Sequence, residues 1–208
     1  RIDPRSGEIL SATICIPHNV TSRIRTDLFV QLGAADPDAR RVKMSPELFG
    51  KALAADVARH TGACLGLAVN YAGSYCVPVD SLRSPSFTQR YGISASIMDE
   101  LPYNLVAQPG DKERGVALMQ QGPGVYDEYV VDWLYRPVPG AATPEDEVAE
   151  LDRRIAARRS DPMCLYTPPP VAVALDPRSM PYNLGDDPVR AAAYELSLIH
   201  ISEPTRPY

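Results

Sequence analysis

Two pairs of side chains in this sequence have the types and spacing to do chemistry. His60 and Cys64 stand four residues apart, so a helix would put an imidazole and a thiol on one face, which is half of a zinc site. Cys15-Ile16-Pro17-His18 places a second thiol and imidazole close together. His60, Cys64, Cys15 and His18 are then four soft or borderline ligands for a displaced metal site, if a strand carrying the second pair closes onto the helix. The plainer reading makes both histidines ordinary polar residues at the rim of a cleft. Arg59 has its own chemistry: a guanidinium in a cleft anchors a peptide carboxylate, or it pairs with a nearby acid. The four cysteines, Cys15, Cys64, Cys76 and Cys164, are too few and too dispersed for a disulfide-built scaffold, so free thiols are expected.

The element that must position His60 and Cys64 begins at Ser45. Ser45 suits an N-cap, Pro46 the first helical position, and Glu47 the positive end of the helix dipole. Leu48, Phe49, Ala52, Leu53 and Val57 recur at three- and four-residue spacing, which predicts one apolar face packed on a sheet or a neighbouring helix. Gly66 should end the helix. Upstream, Ile9–Ile16 reads as a strand, and Ile24, Leu28 and Leu32 predict a helix over Thr21–Leu32, with Asn19-Val20-Thr21 as its start. Tyr71 to Ile97 shows no helical period and predicts an ordered irregular segment.

Further on, Tyr126, Tyr129, Val130, Trp133 and Leu134 predict a short helix docking on the core. Thr143 to Arg159 has a cap, an acidic first turn and a basic end, with Glu150 placed to pair with Arg154. Its arginines read as a solvated face. Pro168-Pro169-Pro170 is a stiff connector, and Asp187 caps a last helix through Tyr194. At 208 residues, 45% hydrophobic and 23% charged, the chain suits one domain with a real core. A net charge of −5 argues against a nucleic-acid partner, and no stretch is apolar enough to span a membrane.

Arg59 to Asn70, RHTGACLGLAVN, resembles the extended zinc motif HExxHxxGxxH of the metzincin metallopeptidases, in the form HEVGHCLGLxHN found in a bacterial met-zincin family. Gly62, Cys64, Leu65, Gly66, Leu67 and Asn70 match. Ser81 to Asp99 resembles the segment leading into the family's met-turn, with Met98 of the SIMD tetrapeptide as the turn methionine, a hydrophobic floor that binds no metal. Gly124–Pro137 and Asn183–Ala193 resemble downstream segments. The motif works because two histidines share a helical face, a glycine turns the chain, and a third histidine completes an open zinc site whose water a glutamate activates.

This chain departs from the pattern at the positions that do the chemistry. The three histidine positions hold Arg59, Ala63 and Val69, and the glutamate position holds His60. Arg59 is a fixed positive charge, and Ala63 and Val69 have no lone pair to offer. Glu100 stands where the family often has a tyrosine, and Asp99 is the expected partner of Arg59.

The resemblance implies an α/β (α+β) metzincin-like domain over residues 1–195, cut off from its N-terminal strands. Its parts are a zinc-motif helix at 46–65, a met-turn at 96–99 and a mainly helical C-terminal part at 124–195. Leu196 to Arg206 resembles a translated sequencing-library adapter, so 196–208, with His200, is set aside as a non-native tail. The expected function is a catalytically degenerate zinc-metallopeptidase homologue, a pseudoprotease with a peptide or protein ligand in the old cleft, no zinc at the family site and no peptide cleavage. The alternatives are an active zinc endopeptidase with displaced ligands and a cell-surface interaction module without a working cleft. By the same resemblance the protein is exported, periplasmic or held at the bacterial surface.

Overall fold

A computed structural model describes residues 1–168 and 176–202, the side chains of 199–202 excepted. The first long helix, α1, runs Val20–Leu32 and buries Ile24, Leu28 and Leu32, the stripe that the spacing predicts, together with Val20. After a 3-10 turn at Pro37–Arg40 comes α2, Pro46–Cys64. Ser45 Oγ accepts the Leu48 amide at 3.1 Å, so the predicted cap is made. At the other end Gly66 adopts φ +88°, and the Leu67 and Gly66 amides return to the Gly62 and Ala63 carbonyls. That pattern is a Schellman stop, which favours glycine because its backbone turns left-handed there. Leu48 and Ala52 of α2 pack on the α1 stripe, together with Tyr103, Leu118 and Met119.

The strand predicted over Ile9–Ile16 does not form. Among the described residues there are no strands, only isolated bridges between Ile2 and Ile9 and between Tyr103 and Met119, so the sheet half of the α/β expectation finds no counterpart. The segment has the right residue types, but only Arg1–Asp3 lies beside its first residues, too short a neighbour to complete a ladder, and Leu10 and Ile16 stay exposed. The stretch 71–97 also differs from expectation. It contains α3 (Ala72–Tyr75), a 3-10 helix (Val79–Arg83) and α4 (Pro85–Tyr91). Ser84-Pro85 opens α4 as Ser45-Pro46 opens α2, with Ser84 Oγ accepting the Phe87 amide. Seven residues are too few to show a period.

The C-terminal part is helical: α5 (Val125–Tyr135), α6 (Pro144–Arg158) and α7 (Pro188–Ser202). No residue of α6 is buried as a whole, and Glu150 pairs with Arg153 and Arg154; Arg153 is solvated as expected, whereas the Arg154 side chain is only 11% exposed and donates to the Arg136 carbonyl. Asp187 Oδ1 caps α7 by accepting the Val189 and Arg190 amides. The helix continues past Tyr194 into the segment set aside as a tail, where Leu198 is buried and Ser197 Oγ donates to Gln108. Two members of the proline connector, Pro169 and Pro170, lie outside the described residues, as does 203–208.

Candidate functional site

The end of α2 sits directly on the 96–99 turn. A Cβ added to Gly62 would lie 2.5 Å from Met98 Sδ, so glycine at this position is what lets the helix rest on the methionine. Met98 is 2% exposed, and Leu67, swung beneath the helix by the Gly66 turn, joins it with Ile97, Val130 and Val131. Buried side chains fix the turn from two sides. The Asp127 carboxylate of α5 accepts from Ser96 Oγ at 2.6 Å, the Ile97 amide at 2.6 Å and the Gly124 amide at 2.8 Å. Asn70, fully buried, donates to the Leu165 carbonyl and accepts from the Ala72 and Thr167 amides, while its own amide reaches Met98 O. Met98, Gly62 and Asn70 thus form a close-packed floor under the end of α2.

Above that floor, Arg59 donates to Glu100 Oε1 at 3.3 Å, with both side chains about one-third exposed. The pairing expected with Asp99 is not made. Asp99 is buried below and accepts from the Ser74 amide at 2.7 Å and the Leu101 amide at 3.3 Å. Its carboxylate holds the loop after the turn, whereas the neighbouring Glu100 faces outward and reaches the guanidinium. Burial, then the adjacent Glu100 carboxylate, raises the Tyr71 phenol above its ordinary value.

Burial pushes the Asp99 carboxyl up to about 6, against the hydrogen bonds that pull it down. Its folded value then lies above the unfolded one near 4, so the native state holds the proton more tightly. The stability this confers is full below about pH 4 and is lost as pH rises to about 6, an effect on the order of 2–3 kcal/mol. Asp99→Asn removes the titration. Urea unfolding should show the stability of the parent relative to that variant falling across pH 4–6, and a constant difference would refute the assignment.

Arg59 and Glu100 line a cavity of about 220 Å³ between α1, α2 and the 96–103 segment. On the α1 side, Arg23, Asp27 and Gln31 lie at successive i,i+4 positions and face it. Arg23 donates to Asp56 of α2 at 2.7 Å, tying the two helices together. Sequence reasoning passed over these residues, although their spacing beside Ile24, Leu28 and Leu32 marks the polar flank of the same helix. Tyr182, also on the cavity wall, carried no comparable signal.

The four ligands of the displaced metal site are not brought together. His60 is 57% exposed with Asp56 at 4.0 Å, Cys15 and His18 are exposed on the N-terminal coil, and Cys64 is half-buried. All four cysteines are free thiols. Among the described residues no group of three or more His, Cys, Asp or Glu stands close enough to hold a metal ion. The strand that was to carry Cys15 and His18 onto α2 is absent, which is the physical reason. At the motif's own positions Ala63 is exposed, Val69 is half-buried and Arg59 is engaged by Glu100, so the residues present do not fit a zinc ion.

A family model described as Met-zincin matches residues 41–202. The chain belongs to the Met-zincin family. The match takes in α2, the Met98 turn and the C-terminal helices, and leaves α1 and the N-terminal coil outside. No curated protein and no solved structure matches the chain. Of the residues that match the resembled motif, Gly62, Gly66, Leu67 and Asn70 shape the backbone and the packing here, as does Met98 of the turn. No helix among the described residues is long and apolar enough to cross a membrane.

Proposed function

We propose that this chain is a catalytically degenerate member of the Met-zincin family whose cleft holds a peptide without cutting it. The Arg59–Glu100 ion pair carries the reading. It puts a permanent cation and its counterion where the resembled motif has a metal ligand and a tyrosine, so neither an ion nor a hydrolytic water is held there. Arg59 donates only to Glu100 among the described residues, and its remaining N–H groups are free for a carboxylate or carbonyl of the bound peptide. His60, in the position of the catalytic glutamate, is turned out to solvent and takes no part.

The test is the metal content of the purified protein before and after mild chelation, together with cleavage of a quenched fluorescent peptide library. Fewer than about a tenth of the chains should carry zinc, and a chelator should change neither fold nor peptide cleavage. About one zinc per chain, with chelator-sensitive cleavage, would overturn the proposal.

A further inference from the structure

The cavity beside Arg59 has a wall that the ion pair does not account for. Four carboxylates and two guanidinium groups line it, an excess of negative charge. The acceptors on α1 are also short of donors. Asp27 accepts no hydrogen bond among the described residues, and its nearest cation, Arg23, is 3.8 Å away. Gln31 Oε1, one turn further along, is buried without any partner. A buried amide oxygen and a neighbouring carboxylate left bare in one cavity make a place that a donor would stabilise. Ala52 and Ala55 on the facing wall of α2 leave room for it.

Tyr182 provides the second observation. It is the one non-glycine residue among those described with positive φ, at 63°, and it is 62% exposed while lining the same cavity. A bulky residue in the left-handed region costs about 1–3 kcal/mol unless its surroundings hold it there. Next to it, Asn183 is pinned by Ser74 Oγ, which donates to its carbonyl at 2.6 Å. The anchored neighbour fixes an aromatic face at the rim of an acceptor-rich cavity, an arrangement that attracts cations.

We infer that the cavity between α1 and α2 takes the basic side chain of the bound peptide, a lysine or arginine whose head group is held by Asp27 and Gln31 Oε1 under the ring of Tyr182. The inference rests on the peptide-binding reading above and names the class of ligand for that cleft. Ionised donors meeting a carboxylate and a buried amide oxygen give the strong, directional contacts that distinguish a basic residue from an apolar one of equal length.

The experiment titrates the purified protein with two acetylated, amidated pentapeptides that differ only at the central residue, lysine in one and norleucine in the other. The lysine peptide should bind at least about ten-fold more tightly. Asp27→Asn and Gln31→Leu should each remove most of that preference, with melting temperatures near that of the parent. Tyr182→Gly relaxes the strained backbone while deleting the ring, so it should weaken the lysine peptide about three-fold or more without loss of stability, which a merely structural tyrosine would not do. Equal binding of the two peptides, or a preference that survives both Asp27→Asn and Gln31→Leu, overturns the inference and leaves the non-cleaving cleft standing. Binding of neither peptide defeats both. Cleavage of the peptides with lysine still preferred defeats the degenerate-protease reading alone.

Discussion

Asp127→Ala should destabilise the protein by about 3–5 kcal/mol, a large share of the total for a domain of this size. The carboxylate is 2% exposed, and its acceptors satisfy Ser96 Oγ and the amides of Ile97 and Gly124. Alanine leaves all three donors buried without partners, at about 1–3 kcal/mol each less what a trapped water recovers. The damage is local in a telling way. Ile97 and Met98 lose their fixed backbone, so Gly62 loses its floor, and the end of α2 should loosen before α1 does. Urea unfolding gives the overall loss, and amide exchange should show protection falling first at 62–67 and 96–99. Asp127→Asn, which keeps one acceptor, should cost less. A loss under about 1 kcal/mol for Asp127→Ala would mean that the turn is held by packing alone.

That clamp also shows where sequence reasoning reaches and where it stops. Local signals carried the helices: Ser45-Pro46 and Gly66 bound α2 at both ends, and the Ile24, Leu28, Leu32 stripe marked the buried face of α1, though not its partner. Met98 and Asn70 were singled out by the resemblance instead, because a resembled motif fixes register. Contacts between distant segments were not legible. Nothing near Asp127 says that it reaches back to Ser96, and nothing near Asp99 says that its side chain turns inward to Ser74 while Glu100 takes the arginine. A choice between adjacent carboxylates is decided by which one the turn buries, and that is a tertiary fact. The Ile9–Ile16 strand failed for a related reason: residue types suited to a pleat do not make a ladder when the only neighbour, Arg1–Asp3, spans just its first residues. The α1 flank of the cavity was legible and was passed over because Arg23, Asp27 and Gln31 look like any solvated helix face until α2 is laid against them.

Rebuilding the motif should have the largest effect on chemistry. The combined substitutions Arg59→His, His60→Glu, Ala63→His and Val69→His restore HExxHxxGxxH on a helix whose geometry is already in place: α2 runs unbroken to Cys64, Gly66 turns the chain at φ +88°, and Met98 supports Gly62 from below. Three imidazoles on that frame form an open zinc site. Metal content should rise from under about a tenth to about one zinc per chain, with an unfolding temperature that depends on added zinc. Removing Arg59 strips Glu100 of its partner and leaves a carboxylate beside the new ion, where it would compete for the open coordination position. Glu100→Tyr added to the four should therefore separate binding from catalysis. The four-fold variant should bind zinc with little peptide cleavage, and the five-fold variant should show chelator-sensitive cleavage above it. If the four-fold variant folds and takes up no zinc, positions 59, 63 and 69 do not converge. The proposed loss of chemistry would then lie in the backbone as well as in the residue types at those positions.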